Sequence, residues 1–321
     1  MTIKTAIVGL GIMGRRMAEH MTGHADFTVA AIWDPDAKSC DLARTVAPDA
    51  RVTSSAEEAI AAADLIYLAC PPVPRKAYAL SAAAQGKAVF LEKPLGVDIE
   101  ESRALVAAIE ASGVPAAVNF TQAAGPALTE VVQAAQSGAL GTLAGVDIIV
   151  TYAHWPRDWQ KAADWLRFRA EGGMTREVIS HFLFFSERIL GPLDLVWARP
   201  DYPADDTLCE THMAARLVNA TGMPVMVMAS VGGAQPDRQE LTIKGSAASR
   251  RISEFYLNAG SDGGAFELLH ADYDDPRAVS LGAQLDDLSL MMKDKPHRLA
   301  TLQEALRVQI LVEGMLSGKP G

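Results

Sequence analysis

Over roughly the first 120 residues, short apolar runs alternate with stretches of helical period, the order that builds β-α-β units around a parallel sheet covered on both faces. Ile3 to Val8 predicts the opening strand. Met13, Met17 and Met21 then recur every four residues, so the helix that follows carries one methionine stripe against the sheet. Phe27 to Trp33 predicts a second strand, Asp64 to Ala69 a buried one through Leu65, Ile66, Tyr67 and Leu68, and Ala88 to Leu91 another. Asp98 with Glu101 three positions on forms an acidic N-cap pattern for a helix that buries Leu105, Val106 and Ile109 and ends before Gly113. Val114 to Phe120 closes this half.

From about Thr121 the pattern changes. A helix over Pro126 to Ser137 leads through Gly138 and Gly141 into strand-like segments at Val146 to Tyr152, Leu193 to Ala198, Met213 to Val218, Val225 to Ala229 and Leu241 to Lys244. Strands that follow one another with few helices between predict an antiparallel or mixed sheet of α+β type. Met174 to Leu190 predicts one helix, and Arg298 to Leu316 another with Leu302, Leu306, Ile310 and Leu311 on one face. Two domains are therefore expected, 1–120 and 121–321, in a chain of α/β class.

Composition narrows the function classes. The 321 residues carry 29 Lys and Arg against 39 Asp and Glu, a formal charge of -10, so the global field repels phosphate backbones and anionic lipid. Nucleic acid and membrane are not expected as partners. No apolar run approaches the ~20 residues of a spanning helix, and the N-terminus enters a strand directly, which predicts a cytoplasmic protein. The three cysteines, Cys40, Cys70 and Cys209, are too scattered for a disulfide framework or a metal site and are read as structural.

The strongest chemical signal is Gly9-Leu10-Gly11-Ile12-Met13-Gly14, a complete G-x-G-x-x-G that follows the first strand and opens a helix. The first glycine permits the tight turn and the second lets the backbone approach a pyrophosphate. The third lets helix and strand pack closely, and the helix N-terminus faces the anion. The fingerprint asks for an acidic residue about 20 positions later, and Asp34 stands there, at the end of the second strand. Its carboxylate would accept ribose hydroxyls and repel a 2′-phosphate, favouring NAD over NADP. Arg15, Arg16 and Lys38 remain as groups able to hold a phosphate.

Cys70-Pro71-Pro72, then Gly86-Lys87, then Glu92-Lys93-Pro94 complete a pattern that resembles the Gfo/Idh/MocA family, named for glucose-fructose oxidoreductase and inositol dehydrogenase. The resemblance runs on through Gly138 to Gly141 and Gly172-Gly173 to His181. It implies a Rossmann dinucleotide-binding domain followed by a substrate-binding and oligomerisation domain with an open, mostly antiparallel sheet. The reaction centre is expected between them, and homodimers or homotetramers through that sheet. It also implies cofactor contacts at Gly9, Gly11, Ile12, Met13, Gly14, Asp34, Cys70, Pro71, Glu92 and Lys93. Glu92 either touches cofactor or simply ends its strand. Lys93 would sit beside the nicotinamide, before a proline that is often cis, where an ammonium can hydrogen-bond the substrate oxygen or shuttle its proton.

The family's second element is a glycine pair, an aspartate and a histidine four residues further on. Here it reads Gly172-Gly173, Glu177, His181. A spacing of four places Glu177 and His181 on one helical face. Glutamate for aspartate lengthens the reach to substrate. Where many relatives carry an asparagine and two arginines after Phe120, this chain has Thr121-Gln122-Ala123, which argues against a phosphorylated sugar. Asn119 and Gln122 are candidates to hydrogen-bond a neutral polar substrate or to form the turn. A histidine of the relatives is replaced by Arg75, to which the sequence assigns no role. Tyr152, His154, Trp155, Trp159 and Trp165 gather before the glycine pair, either as packing or, with Trp165 foremost, as a face for a sugar ring. Arg167 and Arg169 lie alongside, facing solvent or a substrate carboxylate. These features predict an NAD(P)-dependent oxidoreductase that interconverts a secondary alcohol and a ketone on a sugar, cyclitol or related polyhydroxy compound. Lys93, His181 and Glu177 are the catalytic candidates. Imine reduction or amine oxidation on the same fold, and a non-catalytic dinucleotide sensor, are the competing readings.

Overall fold

The computed structural model describes residues 2–160, 163–269 and 273–318. They form two compact units, each with its own sheet.

In the first unit, β1 (Ile3–Val8), α1 (Ile12–Thr22), β2 (Phe27–Trp33), α2 (Ala37–Arg44), β3 (Arg51–Val52), α3 (Ala56–Ala61), β4 (Leu65–Leu68), α4 (Pro72–Ala84), β5 (Ala88–Glu92), α5 (Ile99–Ser112) and β6 (Ala116–Asn119) alternate along the chain. The six strands are parallel in the order β3-β2-β1-β4-β5-β6, that of a Rossmann fold. Every residue of β4 and β5 is buried, as strands covered on both faces must be. The Asp98 carboxylate caps α5 by accepting the Glu101 N–H at 2.8 Å, and Gly113 ends that helix in a left-handed conformation. Met17 and Met21 are buried in the core, and Met13 is half-buried at the start of α1. Each fully buried methionine contributes roughly 1.5–3 kcal/mol.

The second unit contains α6 (Pro126–Gln136), β7 (Leu143–Tyr152), a π-helical turn (Thr175–Ile179) that runs into α7 (Ser180–Leu190), then β8 (Leu193–Asp201), β9 (His212–Asn219), β10 (Pro224–Val231), β11 (Arg238–Gly245), β12 (Ser249–Ser253), β13 (Leu257–Ser261) and β14 (Glu267–Leu268). Its eight strands lie in the order β14-β13-β12-β11-β7-β10-β9-β8, antiparallel throughout except for the parallel pair β7 and β10. Along β10, Val225, Val227 and Ala229 are buried while Met226 and Met228 are exposed, the alternation of a sheet covered on one face.

Two helices complete the chain, α8 (Pro276–Met292) and α9 (Leu302–Ser317). The hydrophobic pattern did not single out α8, yet Leu281, Leu285 and Leu288 enter the core of the first unit. The expected division at 120/121 therefore takes a different form. The first unit runs to Ala124 and includes Ser280–Leu306, and the second comprises Gly125–Val279 with the stretch from Arg307. The final helix, expected from Arg298, begins at Leu302. Thr301 and Glu304 form a capping box there, with the Thr301 N–H donating to Glu304 Oε2 at 2.8 Å and the Glu304 N–H to Thr301 Oγ1 at 3.2 Å. Arg298 stays outside it, with its guanidinium 2.8 Å from the Asp287 carboxylate. Among the described residues no helix is long and apolar enough to cross a membrane.

Candidate active site

In the first unit the loops after β1, β4 and β5 converge at the carboxyl ends of adjacent strands, where open parallel sheets bind ligands. Gly9 has φ +93°, and a Cβ there would come within 2.5 Å of the Cys70 backbone nitrogen. A Cβ on Gly14 would stand 1.9 Å from the Gly9 carbonyl oxygen, so the third glycine sets how closely α1 meets its strand. Gly11 differs, because a Cβ there meets nothing within 4 Å. It is the N-cap of α1, and no side chain caps the helix and no acidic residue lies in its first turn. The first-turn N–H groups of α1 thus have no side-chain cap, and the positive end of the helix dipole lies behind them. These residues fit a pyrophosphate.

Asp34, directly after β2, is half-buried beside that turn. Its Oδ2 accepts the Leu10 N–H at 2.7 Å and its Oδ1 the Asp36 N–H at 2.9 Å. Each carboxylate oxygen keeps a lone pair for a ribose hydroxyl. Arg15 donates to the Leu10 carbonyl at 2.6 Å, and Arg16 to the Met13 sulfur at 3.6 Å, so both cations are engaged within the glycine segment. Lys38 lies exposed in the first turn of α2.

Lys93 follows β5, half-buried, with a cis bond to Pro94. Beneath it lies a buried polar network. Glu92, 6% exposed, accepts the Tyr67 hydroxyl and the Asn119 amide (2.6 Å) on Oε1, and the Lys93 N–H (3.2 Å) on Oε2. The Asn119 amide also reaches Tyr67 Oη at 3.3 Å, and Asn119 Oδ1 accepts from Gln284 of α8 at 3.3 Å. Burial pushes the Glu92 carboxyl up, against hydrogen bonds from Tyr67 and Asn119 and the positive charge of Arg75. Burial and the Glu92 charge push the Tyr67 phenol well up, so it stays a donor. Arg75, 2% exposed, donates from Nε and Nη2 to the Cys70 carbonyl (3.2 and 2.6 Å) and from Nη1 to the carbonyls of Glu92 (2.5 Å) and Pro94.

This network revises several residue assignments. Asn119, a candidate substrate ligand, is 1% exposed with its amide engaged by Glu92, Tyr67 and Gln284, so it supports Glu92 instead. Glu92 likewise faces inward, since the unit satisfies its charge internally. Gln122 is buried after β6, and Cys70, buried, contributes its carbonyl to Arg75, while Pro71 is exposed at the start of α4. Tyr67 and Gln284 escaped the sequence reading. The signal for Tyr67 was a phenol in an otherwise aliphatic buried run, since a buried hydroxyl needs a partner.

In the second unit, the glycine pair shapes the helix start. A Cβ on Gly172 would clash with the Leu166 carbonyl oxygen at 2.3 Å, and one on Gly173, at φ +103°, with the Glu210 carboxylate at 2.4 Å. Glu210 is buried and accepts the Thr175 N–H at 2.7 Å. Burial pushes its carboxyl up. The single α-helix expected over Met174 to Leu190 is instead a π-helical turn followed by α7. Glu177 lies in the wider turn and His181 in the α-helix, so α-helical periodicity no longer fixes their common face. Glu177 accepts from Gln160 Nε2 at 3.0 Å and stands 3.8 Å from Arg157 Nη2. Arg176 turns away and forms a fork with Glu313 at 2.7 Å. His181, 7% exposed, meets the Phe255 ring edge-on at 5.2 Å, and Phe255 stacks on Phe182 at 5.1 Å.

The aromatic segment surrounds a cation that sequence reasoning missed. The Arg157 guanidinium lies 4.7 Å from the Trp159 ring, 5.3 Å from Tyr152 and 5.7 Å from Trp155, and donates to Gln160 at 2.8 Å. Trp165 is half-buried in a 3₁₀ turn (Asp164–Arg167), and Trp155 donates to the Leu166 carbonyl at 2.9 Å. His154, exposed, stands 3.1 Å from Asp158. Arg167 lies over Phe168 and Arg169 over Tyr202. Among the described residues no group of three or more His, Cys, Asp or Glu is arranged to hold a metal ion.

Residues 3–120 match the Gfo/Idh/MocA model described as an oxidoreductase family with an NAD-binding Rossmann fold. Over these residues, a little over a third of its length, the chain is similar to the Gfo/Idh/MocA family. Its nucleotide-binding half is an NAD-binding Rossmann fold. An inositol 2-dehydrogenase of Cereibacter sphaeroides is 34% identical over 117 residues, which are 35% of this chain and 34% of that protein. One from Rhizobium meliloti is 26% identical over 193 residues, 60% of this chain and 56% of the relative. The matched stretches thus span about a third to somewhat over half of these Gfo/Idh/MocA relatives. Among solved structures, GenD2 from gentamicin A biosynthesis in complex with NAD has a TM-score of 0.81 at 20% identity, covering 100% of this chain and 97% of the other. An oxidoreductase from Agrobacterium radiobacter in complex with NAD+, L-tartaric acid and magnesium has a TM-score of 0.84 at 18% identity, covering 98% and 95%. These likenesses establish that both sheets follow the fold seen in those proteins.

Proposed function

We propose that the protein is an NAD-dependent oxidoreductase that interconverts a secondary alcohol and a ketone on a sugar, cyclitol or related polyhydroxy compound. It would act in the cytoplasm, where its three free thiols stay reduced. The observation that carries this reading is the set of groups at the carboxyl ends of β1, β2 and β5 in one parallel sheet: the uncapped α1 N-terminus, the anchored Asp34 carboxylate and Lys93. The inositol 2-dehydrogenase relatives support the substrate class.

When bound, the nicotinamide supplies the hydride acceptor or donor. Gly11, Ile12 and Met13 would hold the pyrophosphate through backbone N–H groups, and Asp34 the adenosine ribose. The Lys93 ammonium would hydrogen-bond the substrate oxygen, orient it and stabilise the negative charge that develops there. In the oxidative direction His181 would take the hydroxyl proton as general base, and Glu177, held by Gln160 and Arg157, would fix a substrate hydroxyl. Gln122 and Trp165 remain candidates for binding substrate. A second copy of the chain would cover the exposed sheet face that carries Met226 and Met228, giving a homodimer or homotetramer.

The test is a panel of polyols, cyclitols, sugar acids and cyclic imines with NAD(H) and NADP(H), followed by nicotinamide absorbance. Turnover of a polyhydroxy compound with NAD supports the proposal. Turnover confined to imines or amines, or none with any compound while NAD binds, overturns it.

A further inference from the structure

Arg75 is the most deeply buried cation of the first unit, and every hydrogen bond of its guanidinium goes to a backbone carbonyl. Burying a guanidinium is costly, and an apolar side chain of similar size would fill the same space at lower cost. The retained group therefore does something packing alone does not. Two of its acceptors, the carbonyls of Glu92 and Pro94, flank Lys93 in the chain, and the third, that of Cys70, lies in the loop after the neighbouring strand β4. One planar fork thus holds both ends of the short segment from which Lys93 projects and ties it to the loop after β4. The buried Glu92 carboxylate supplies the compensating charge, with Tyr67 and Asn119 completing its hydrogen bonds.

We propose that Arg75 is a positioning residue for Lys93, fixing the direction of its side chain by clamping the carbonyls of Glu92, Pro94 and Cys70. This rests on the role given to Lys93 above. It requires the fork. A lysine ammonium carries its three donors on one nitrogen and cannot reproduce the planar fork that reaches these three carbonyls.

The experiment compares Arg75→Lys and Arg75→Gln with wild type by two readouts. With the substrate found by the panel, both variants are expected to lose at least tenfold in kcat while KM and the Kd for NAD stay within threefold. Independently of turnover, the acylation rate of Lys93 by acetic anhydride, read by mass spectrometry on folded protein, is expected to change at least threefold. If Arg75→Gln proves too unstable to purify, Arg75→Lys, which keeps the buried charge, carries the test. A lysine variant with more than half of wild-type kcat and an unchanged acylation rate overturns the proposal and leaves Arg75 as a buried charge alone. If wild type turns over nothing on the panel, the dehydrogenase reading fails separately, and the acylation rate still decides the role of Arg75.

Discussion

The Asp34 carboxylate accepts the Leu10 N–H at 2.7 Å, tying the end of β2 to the glycine turn that follows β1. With its other oxygen held by the Asp36 N–H, the carboxylate cannot swing away from a group that approaches the ribose position. NAD(H) is expected to bind at least tenfold tighter than NADP(H), about 1.4 kcal/mol. Asp34→Ala should bring the ratio within about threefold, a difference of only ~0.6 kcal/mol. Calorimetric titration of both cofactors checks this, and NADP(H) binding as tightly as NAD(H) or tighter in the wild type would overturn it and point to Arg15, Arg16 or Lys38 as holding the 2′-phosphate.

Gly11 and Gly14 should respond differently to alanine. The space before Gly11 is open, so Gly11→Ala is expected to keep the melting temperature within about 2 °C and to weaken NAD binding at least tenfold. In Gly14→Ala the added methyl would overlap the Gly9 carbonyl, so stability and binding should fall together, by roughly 1–3 kcal/mol in stability. Thermal melts with and without NAD separate the two. Equal stability losses would show that Gly11 serves packing and not the phosphate.

Lys93→Ala is expected to lower turnover about a hundredfold or more, the range of a lost electrostatic or proton-transfer group, with the Kd for NAD within threefold. Glu92 keeps its partners Tyr67 and Asn119, so the fold should persist. Steady-state kinetics with circular dichroism decides. A variant with more than half of wild-type turnover removes Lys93 from the chemistry.

The buried Glu210 carboxyl sets a pH signature on stability. Burial raises its pKa in the folded state above the ordinary carboxyl value near 4.3, so the fold favours the protonated form. That contribution is fully present below the ordinary value and is lost as pH rises through the raised one. Glu210→Gln keeps an acceptor for the Thr175 N–H and cannot ionise. The stability of the variant relative to wild type should therefore grow as pH rises from 4.5, by at most ~1.4 kcal/mol per pH unit. Denaturant melts between pH 4.5 and 8 measure the difference, and a constant gap across that range would contradict the assignment.

What the sequence determined by itself was whatever local pattern controls. The strands at Ile3–Val8 and Phe27–Trp33, the Asp98 cap, the glycine turn and the placement of Asp34 depend on residues close in the chain or on a fixed spacing, and all are found in place. Helix α8 was missed because the core it joins is built from residues far away in sequence, so its apolar stripe makes sense only once that core is present. The π-helical turn at Glu177 starts beside contacts made across the fold: Gly173 lies against Glu210, and Glu210 accepts the Thr175 N–H. Asn119 and Arg75 show the same limit. Whether a polar side chain faces a ligand or a buried neighbour depends on Tyr67, Glu92 and Gln284, brought together from β4, β5 and α8. Local periodicity encodes which face of an element is apolar, whereas the partner of a buried charge is chosen only when distant segments close around it.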